Sequence, residues 1–461
     1  MATAAVTGYR DVSESAASIQ GEVEDPQFTL SGREVAGKEV PAQETVSQSI
    51  TTRQKLILAA CSCSSCFMHM GVSTIPLLLP PEIIRKGIPY EYCGMIFSLF
   101  ATAIVIFEPL QAKLLPMIGT KRAFCFSALL GGFCYISFGM LTFAYSTAGF
   151  AAPAMIIRFV EGFYYAVLIT SSNVIVCLEF PDHASLAFGI LEGFVGAGFT
   201  LGPLVGGSLF AAGGFIAPFL FIGLALLATS LFGYFVLDQV TGLNLQSRPR
   251  EKKRLIRDPI FIALGMLTFT MGIVWGIFET SLEPYLATYD QGPIVEGVVF
   301  AIAYLAYAGM SPVWGYVFRR VHIDYRWVLV GPVCVGVIWM ILGPIPMLSF
   351  IGTDVLWLDV VCLFLLNVSI AFVFVFSYDT MLKRAVMHGL EENVATYALI
   401  VAAFFSSIYI GEIIGPVIGG YVYAKLSFQY VALVASSAAP TEWPYCRHDY
   451  ADQLESPRTA I

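Results

Sequence analysis

The sequence predicts an all-α polytopic membrane protein made of two related helical bundles, and three observations carry that prediction. Of 461 residues, 57% are apolar and 13% charged, about half the charged share of an average soluble domain, so most of the chain is not built to face water. Apolar runs of about 20 residues, each long enough to cross ~30 Å of hydrocarbon as a helix, follow one another from residue 54 to residue 424. A ten-residue pattern also occurs twice, as GFTLGPLVGG from Gly198 to Gly207 and as GEIIGPVIGG from Gly411 to Gly420, which points to an internal repeat.

Taken in order, the chain opens with a polar leader, residues 1–52, holding eight acids against Arg10, Arg33 and Lys38. It lacks the short apolar core of a signal peptide and reads as a disordered cytoplasmic tail. Spans are then expected near 54–79, 91–112, 121–143, 150–177, 184–210, 213–237, 259–284, 295–318, 327–348, 355–380 and 394–424. Pro80 and Pro81 are expected to close the first, while Asp258 and Pro259 supply a normal start for the seventh. The result is a six-helix bundle over 53–237, a cytoplasmic central loop over 238–257 and a second bundle, helices seven to eleven, over 258–425. Within the loop, Glu251 to Ile256 has the form of an acidic dileucine sorting signal, although a basic anchor beside the next helix is the simpler account. After Gly420 a further span starts at Ser427 and gives way after about a dozen residues to a polar stretch. Such a length falls short of ~30 Å as a helix, so over 426–461 the twelfth helix is missing or altered, and transport competence comes into question.

Lysines and arginines set the orientation. With the N-terminus cytoplasmic, the inner side carries nineteen, six of them in the central loop, against Arg85, Lys86 and Lys425 outside. That asymmetry predicts an inside-positive topology. The net charge of −8 says little about partners, because position outweighs sum in a membrane protein, and nothing points to nucleic acid.

Both copies of the repeat fit G-x-x-x-G-P-x-x-G-G. On a helix, Gly198, Gly202 and Gly206 form a stripe without side chains, as do Gly411, Gly415 and Gly419, with Gly207 and Gly420 following, so a neighbouring backbone can come close. Pro203 and Pro416 each remove a helical donor and need a packed partner to serve the freed carbonyl.

This template resembles the fifth-helix signature of antiporters in the major facilitator superfamily. RFVEGFYYA, Arg158 to Ala166, is similar to the superfamily's fourth-helix R-x-x-Q-G-x-x-x-A element, with Glu161 where a glutamine is usual. Within the superfamily the likeness is greatest to vesicular amine and polyamine transporters, through LEGFVGAGFTLGPLVGG (Leu191 to Gly207) and LGPIPML (Leu342 to Leu348), and it covers about residues 54–430. The resemblance implies the major facilitator fold, two six-helix-type bundles rocking about a midplane cavity. Two departures stand out. The loop from Ala112 to Lys121 keeps Gly119 and Lys121 but has Pro116 where the family places an aspartate, and Arg319 holds the acidic position of the corresponding loop in the second half. The first span also has no acid, unlike the vesicular monoamine transporters, which argues against a monoamine substrate.

No nucleotide-binding loop, hydrolase elbow or metalloprotease helix occurs, so neither an enzyme nor ATP-driven transport is expected, and no cofactor. Cys61, Cys63 and Cys66 share the first span without a second ligand cluster, so no metal site is expected either, and small packing residues are the simpler reading. His69 reads as a pore-facing proton group or as a satisfied interhelical histidine.

Ionisable groups inside spans are expensive and are functional candidates by default. Arg158 and Glu161 are three apart on one helix face near the midplane, where they can pair, and they are the proton-coupling candidates. Glu192, Glu279, Asp379 and Glu412 are the candidates for binding substrate, with Asp379 in a run that resembles an acidic tenth-helix position of the amine transporters. Glu279 and Glu283, four apart, mark the outer mouth of the seventh span, whereas Glu108 and Asp379 lie near cytoplasmic helix ends, where holding the inner gate or facing water is the simpler account. The expectation is a monomeric antiporter in a lipid bilayer, exchanging protons for a small organic cation such as spermine or spermidine. Its site would be a secretory or synaptic-type vesicle membrane, with the plasma membrane as the alternative. A multidrug facilitator and a non-transporting, truncated binding partner are the competing readings.

Overall fold

The computed structural model describes residues 50–180, 184–241, 254–320, 325–343, 355–390 and 394–438. The leader to residue 49, residues 242–253 of the central loop and everything after residue 438 lie outside them, so the expected disordered tail up to residue 49, Glu251 of the dileucine-like run and the polar C-terminal stretch do too.

Among the described residues the chain is built from α-helices in two sets. The first holds α1 (Thr52–Arg85), α2 (Glu91–Ile118), α3 (Thr120–Met140), α4 (Thr147–Glu179), α5 (Ala184–Gly213) and α6 (Ile216–Val236). The second holds α7 (Pro259–Leu286), α8 (Pro293–Arg320), α9 (Val330–Leu342), α10 (Leu356–Met387), α11 (Val394–Lys425) and α12 (Phe428–Ala438). Ten of these are long and apolar enough to cross a membrane.

Local chemistry accounts for the starts. Thr51 caps α1 with a reciprocal capping box to Gln54, Ser146 accepts from the Gly149 amide at 3.0 Å, and Asp258 accepts from the Ile260 amide at 3.1 Å ahead of Pro259. Each cap satisfies an amide with no partner inside its helix.

Two expectations need correction. The first helix does not stop at Pro80 and Pro81 but carries Pro76, Pro80 and Pro81 within it and ends at Arg85. The donor that Pro80 lacks is the one the Pro76 carbonyl would have received, and the helix runs on through this turn with Leu77, Leu78, Leu79 and Ile83 buried against neighbouring helices. The ninth span is a shorter apolar helix, Trp327–Leu342 with its first turn, and residues 344–348 lie outside the described residues. The twelfth helix, expected to be missing or altered, is of the altered kind among the described residues. At 11 residues α12 measures about 16 Å, and it packs on α9 and α7 with Phe428 stacked at 3.9 Å on Tyr285.

The two sets pack alike. α1 lies on α5 as α7 lies on α11, α2 on α4 as α8 on α10, and α3 on α6 as α9 on α12. Between the sets the main contacts are α2 with α11 and α5 with α8. The cross-set contacts gather at the end that carries the α1–α2 and α7–α8 turns, the outer end in the sequence-based topology. There Tyr90 donates to the Thr280 carbonyl, Lys425 pairs with Glu91 at 2.6 Å and Gly94 abuts the Pro416 carbonyl. At the opposite end the ties run within each set, as in Gln54 to the Glu179 carbonyl at 2.8 Å and Arg384 to Asp258 at 2.6 Å.

Candidate functional site

The glycine motifs build the walls of the site. A Cβ at Gly198 would meet the Cys66 carbonyl, one at Gly202 would meet Ser73 and Met70, and one at Gly206 would meet Thr74, all on α1. In the copy, Gly411, Gly415 and Gly419 lie in the same way against Phe269, Ile273 and Thr280 of α7. Hydroxyls on α1 reach carbonyls of this motif, with Thr74 donating to Gly202 at 3.0 Å and Ser73 to Gly198 at 3.4 Å. The last glycine of each motif turns to the other set, Gly207 to Pro293 of α8 and Gly420 to Gly94 of α2.

Such close packing carries polar residues to the midplane. Arg158 Nη1 lies 2.7 Å from Glu161 Oε2, and Tyr135 donates to the other carboxylate oxygen at 2.7 Å. The guanidinium lies over Phe100 at 4.4 Å and Phe97 at 5.5 Å from the ring centres. Both members of the pair are buried. In this conformation they are sealed inside the first bundle rather than open to water.

Three of the four substrate-binding candidates are half-buried and share surroundings. Glu279 on α7 accepts from Trp275 Nε1 at 3.1 Å. The charge of Glu279 is close enough to act on Glu412 of α11, and the positive charge of Arg158 reaches both. Glu192 on α5 acts in the same way on His69, Tyr165 and Tyr307. Asp379 is engaged elsewhere, 2.6 Å from Lys383 one turn along α10.

A hydrogen-bonded chain of ring groups runs from one set to the other near these acids. His69 places Nδ1 2.7 Å from the Ser65 carbonyl, so that nitrogen carries the proton, and Nε2 3.1 Å from the Tyr165 hydroxyl. Tyr409 of the second set donates to Tyr165 at 3.3 Å. Thus His69 is a buried, hydrogen-bonded interhelical histidine. Glu108 and Glu412 both act on the Tyr165 hydroxyl. Tyr165, Tyr409, Trp275 and Glu108 were not among the sequence candidates for the site, yet helical spacing marks the first three: Tyr165 is seven after Arg158, Tyr409 three before Glu412 and Trp275 four before Glu279.

A family model described as Major Facilitator Superfamily matches residues 61–397. The chain belongs to that superfamily. It is 27% identical over 389 residues to the human MFS-type transporter SLC18B1, covering 84% of each chain, and 26% identical over 390 residues to the mouse protein, again 84% of each. The quinolone resistance protein NorA of Staphylococcus aureus (strain MSSA476) is 23% identical over 224 residues, 48% of this chain and 56% of that one. Among solved structures, the nucleoside transporter NupG superposes with a TM-score of 0.65 at 13% identity, covering 84% of this chain and 96% of that one. A bacterial homologue of the human lysosomal transporter Spinster, inward-facing and unoccupied, gives 0.62 at 14% identity, covering 84% and 92%. Membership makes the chain a secondary transporter of small molecules and an integral multi-pass membrane protein, not an enzyme.

Proposed function

We propose that this superfamily member exchanges protons for organic cations, polyamines such as spermine and spermidine being the leading substrates, across the membrane of an acidic vesicle with its N-terminus in the cytoplasm. The observation that carries the reading is the placement of Glu192, Glu279 and Glu412 on three helices from both bundles, half-buried around aromatic side chains. A flexible polycation needs negative charges spaced along its length, and rings offer its methylenes and ammonium groups both apolar and cation–π contact. Protonating the carboxylates from the acidic side would release the cargo, and each proton moving down two pH units supplies about 2.7 kcal/mol.

A broader cavity for aromatic drugs is the second reading. Trp275, Tyr304 and Tyr307 lie together, with ring centres 6.0 and 5.8 Å from Trp275, and one of the similar proteins is named for quinolone resistance. Uptake into proteoliposomes with an imposed pH gradient decides between them. Labelled spermine should accumulate when the interior is acidic and should resist competition by aromatic cations. Drug uptake without spermine uptake selects the second reading, and uptake of neither favours a non-transporting binding role.

A further inference from the structure

A cavity of about 300 Å³ opens between α2, α3 and α4, near the α2–α3 turn. Leu114, Leu115, Ile118, Phe126, Phe163 and Val167 give it apolar walls. Leu110, Met117 and Phe126 on the same corner are exposed, as residues facing lipid tails are. The cavity holds two polar groups. Gln111 is 3% exposed, and its amide nitrogen is buried without a hydrogen-bond partner. Arg122, in the first turn of α3, is exposed at the rim, and its backbone amide is already taken by Gln239 at 3.1 Å.

The vertical spacing of these two groups matches a particular ligand. Gln111 lies seven residues, about 10 Å along the helix, from the end of α2, whereas Arg122 sits beside the turn itself. A phospholipid has that layout: a phosphate at the surface, ester carbonyls several ångströms deeper and acyl chains beyond them. The deep amide is a donor seeking an acceptor, which a carbonyl supplies and a hydrocarbon does not. The rim cation complements a phosphate, and Lys121 beside it strengthens the positive field, its ammonium lying 4.8 Å from the Tyr234 ring centre.

We infer that this cavity is a lipid site for an anionic glycerophospholipid of the adjoining leaflet. One acyl chain fills the apolar cavity, an ester carbonyl accepts from the Gln111 amide, and the phosphate pairs with the Arg122 guanidinium. The site lies away from the midplane acids and stands independently of which cargo the protein carries.

Native mass spectrometry of the full chain tests it, after incubation with phosphatidylglycerol or phosphatidylcholine micelles. The native chain should retain phosphatidylglycerol in preference. Arg122→Gln should weaken that retention by roughly tenfold, as expected for one charge-assisted hydrogen bond, while Gln111→Leu should lower retention of both lipids. Arg320→Gln, which removes an exposed cation at the corresponding end of α8, is the control and should change nothing. Equal retention of the two lipids by the native chain overturns the inference. So does an unaltered Gln111→Leu/Arg122→Gln double variant, or an equal loss with Arg320→Gln, which would mark a general charge effect.

Discussion

Arg158 and Glu161 form an ion pair at 2.7 Å whose members are 2% and 1% exposed. Two charges taken this far from water are tolerated because each satisfies the other, with Tyr135 and the rings of Phe97 and Phe100 completing the enclosure. Removing one partner strands the other. Glu161→Gln should therefore lower stability by about 3–5 kcal/mol, read as a loss of melting temperature in detergent. If Glu161 carries the coupled proton, the variant that still folds should lose uptake driven by a pH gradient while keeping downhill exchange of labelled substrate, which needs no net proton movement. Full gradient-driven uptake would make the pair a packing device only.

Glu192 should respond differently, because it is half-buried where Glu161 is sealed from water, and it lies near His69, Tyr165 and Tyr307. Glu192→Gln keeps shape and hydrogen-bonding capacity and removes one counter-charge. The concentration for half-maximal exchange of a polyamine should rise by roughly tenfold, the equivalent of ~1.4 kcal/mol, with little change in melting temperature. An unchanged concentration dependence would remove Glu192 from the binding site.

The glycine motif is a matter of backbone distance. At Gly202 even a Cβ would run into Ser73 and the Met70 carbonyl, and these belong to a helix that cannot yield without disturbing Thr74, which is bonded to the Gly202 carbonyl. Gly202→Leu should abolish stable insertion, or leave a protein without transport, as judged by monodispersity after extraction and by uptake. Normal expression and activity would show that α1 and α5 can part.

Much of this was legible beforehand, for identifiable reasons. Helix number and placement follow from apolar run length, which is a one-dimensional property, and the close approach of α5 to α1 follows from glycines four apart. Pro80 and Pro81 misled because their local preference is to end a helix, whereas a spanning helix packed among neighbours tolerates proline, and those neighbours lie far along the chain. The separation of Asp379 from Glu279 and Glu412 was, by contrast, open to a sequence reading. Asp379 falls near the cytoplasmic end of its span, with Lys383 one turn along the same helix face.

Asp258 gives a pH-dependent prediction outside the spans. Burial opposes its ionisation, but hydrogen bonds and charge from Arg384, the Ile260 amide and His388 more than offset this and hold its carboxyl below the ordinary range. A carboxyl whose folded value is depressed stabilises the protein fully above about pH 4, its ordinary value, and the contribution fades as pH falls through the folded value. Asp258→Asn keeps a good helix cap but loses the ion pair. It should cost about 3 kcal/mol at neutral pH, and the gap from the native chain should close under acid. A gap that stays constant down to pH 2 would assign the loss to packing instead.

The two proline carbonyls of the repeated motif make matching contacts between the bundles: a Cβ at Gly94 of α2 would collide with the carbonyl of Pro416, and one at Gly297 of α8 would lie 2.5 Å from that of Pro203. Unlike the stripe at Gly202, these contacts join elements that must part when the outer end opens. A methyl group there should not unfold either bundle, since each remains packed internally. It should disfavour only the conformation in which the outer end is shut. Gly94→Ala ought therefore to leave the melting temperature within a few degrees of the native value while exposing Cys93, which is fully buried beside this contact, to a membrane-impermeant maleimide. Labelling of Cys93, located by peptide mass spectrometry, should rise several-fold, and Gly297→Ala should raise it as well if the bundles move as rigid bodies. Unchanged labelling with a lowered melting temperature would mean that the Pro416 contact holds the fold together and takes no part in opening.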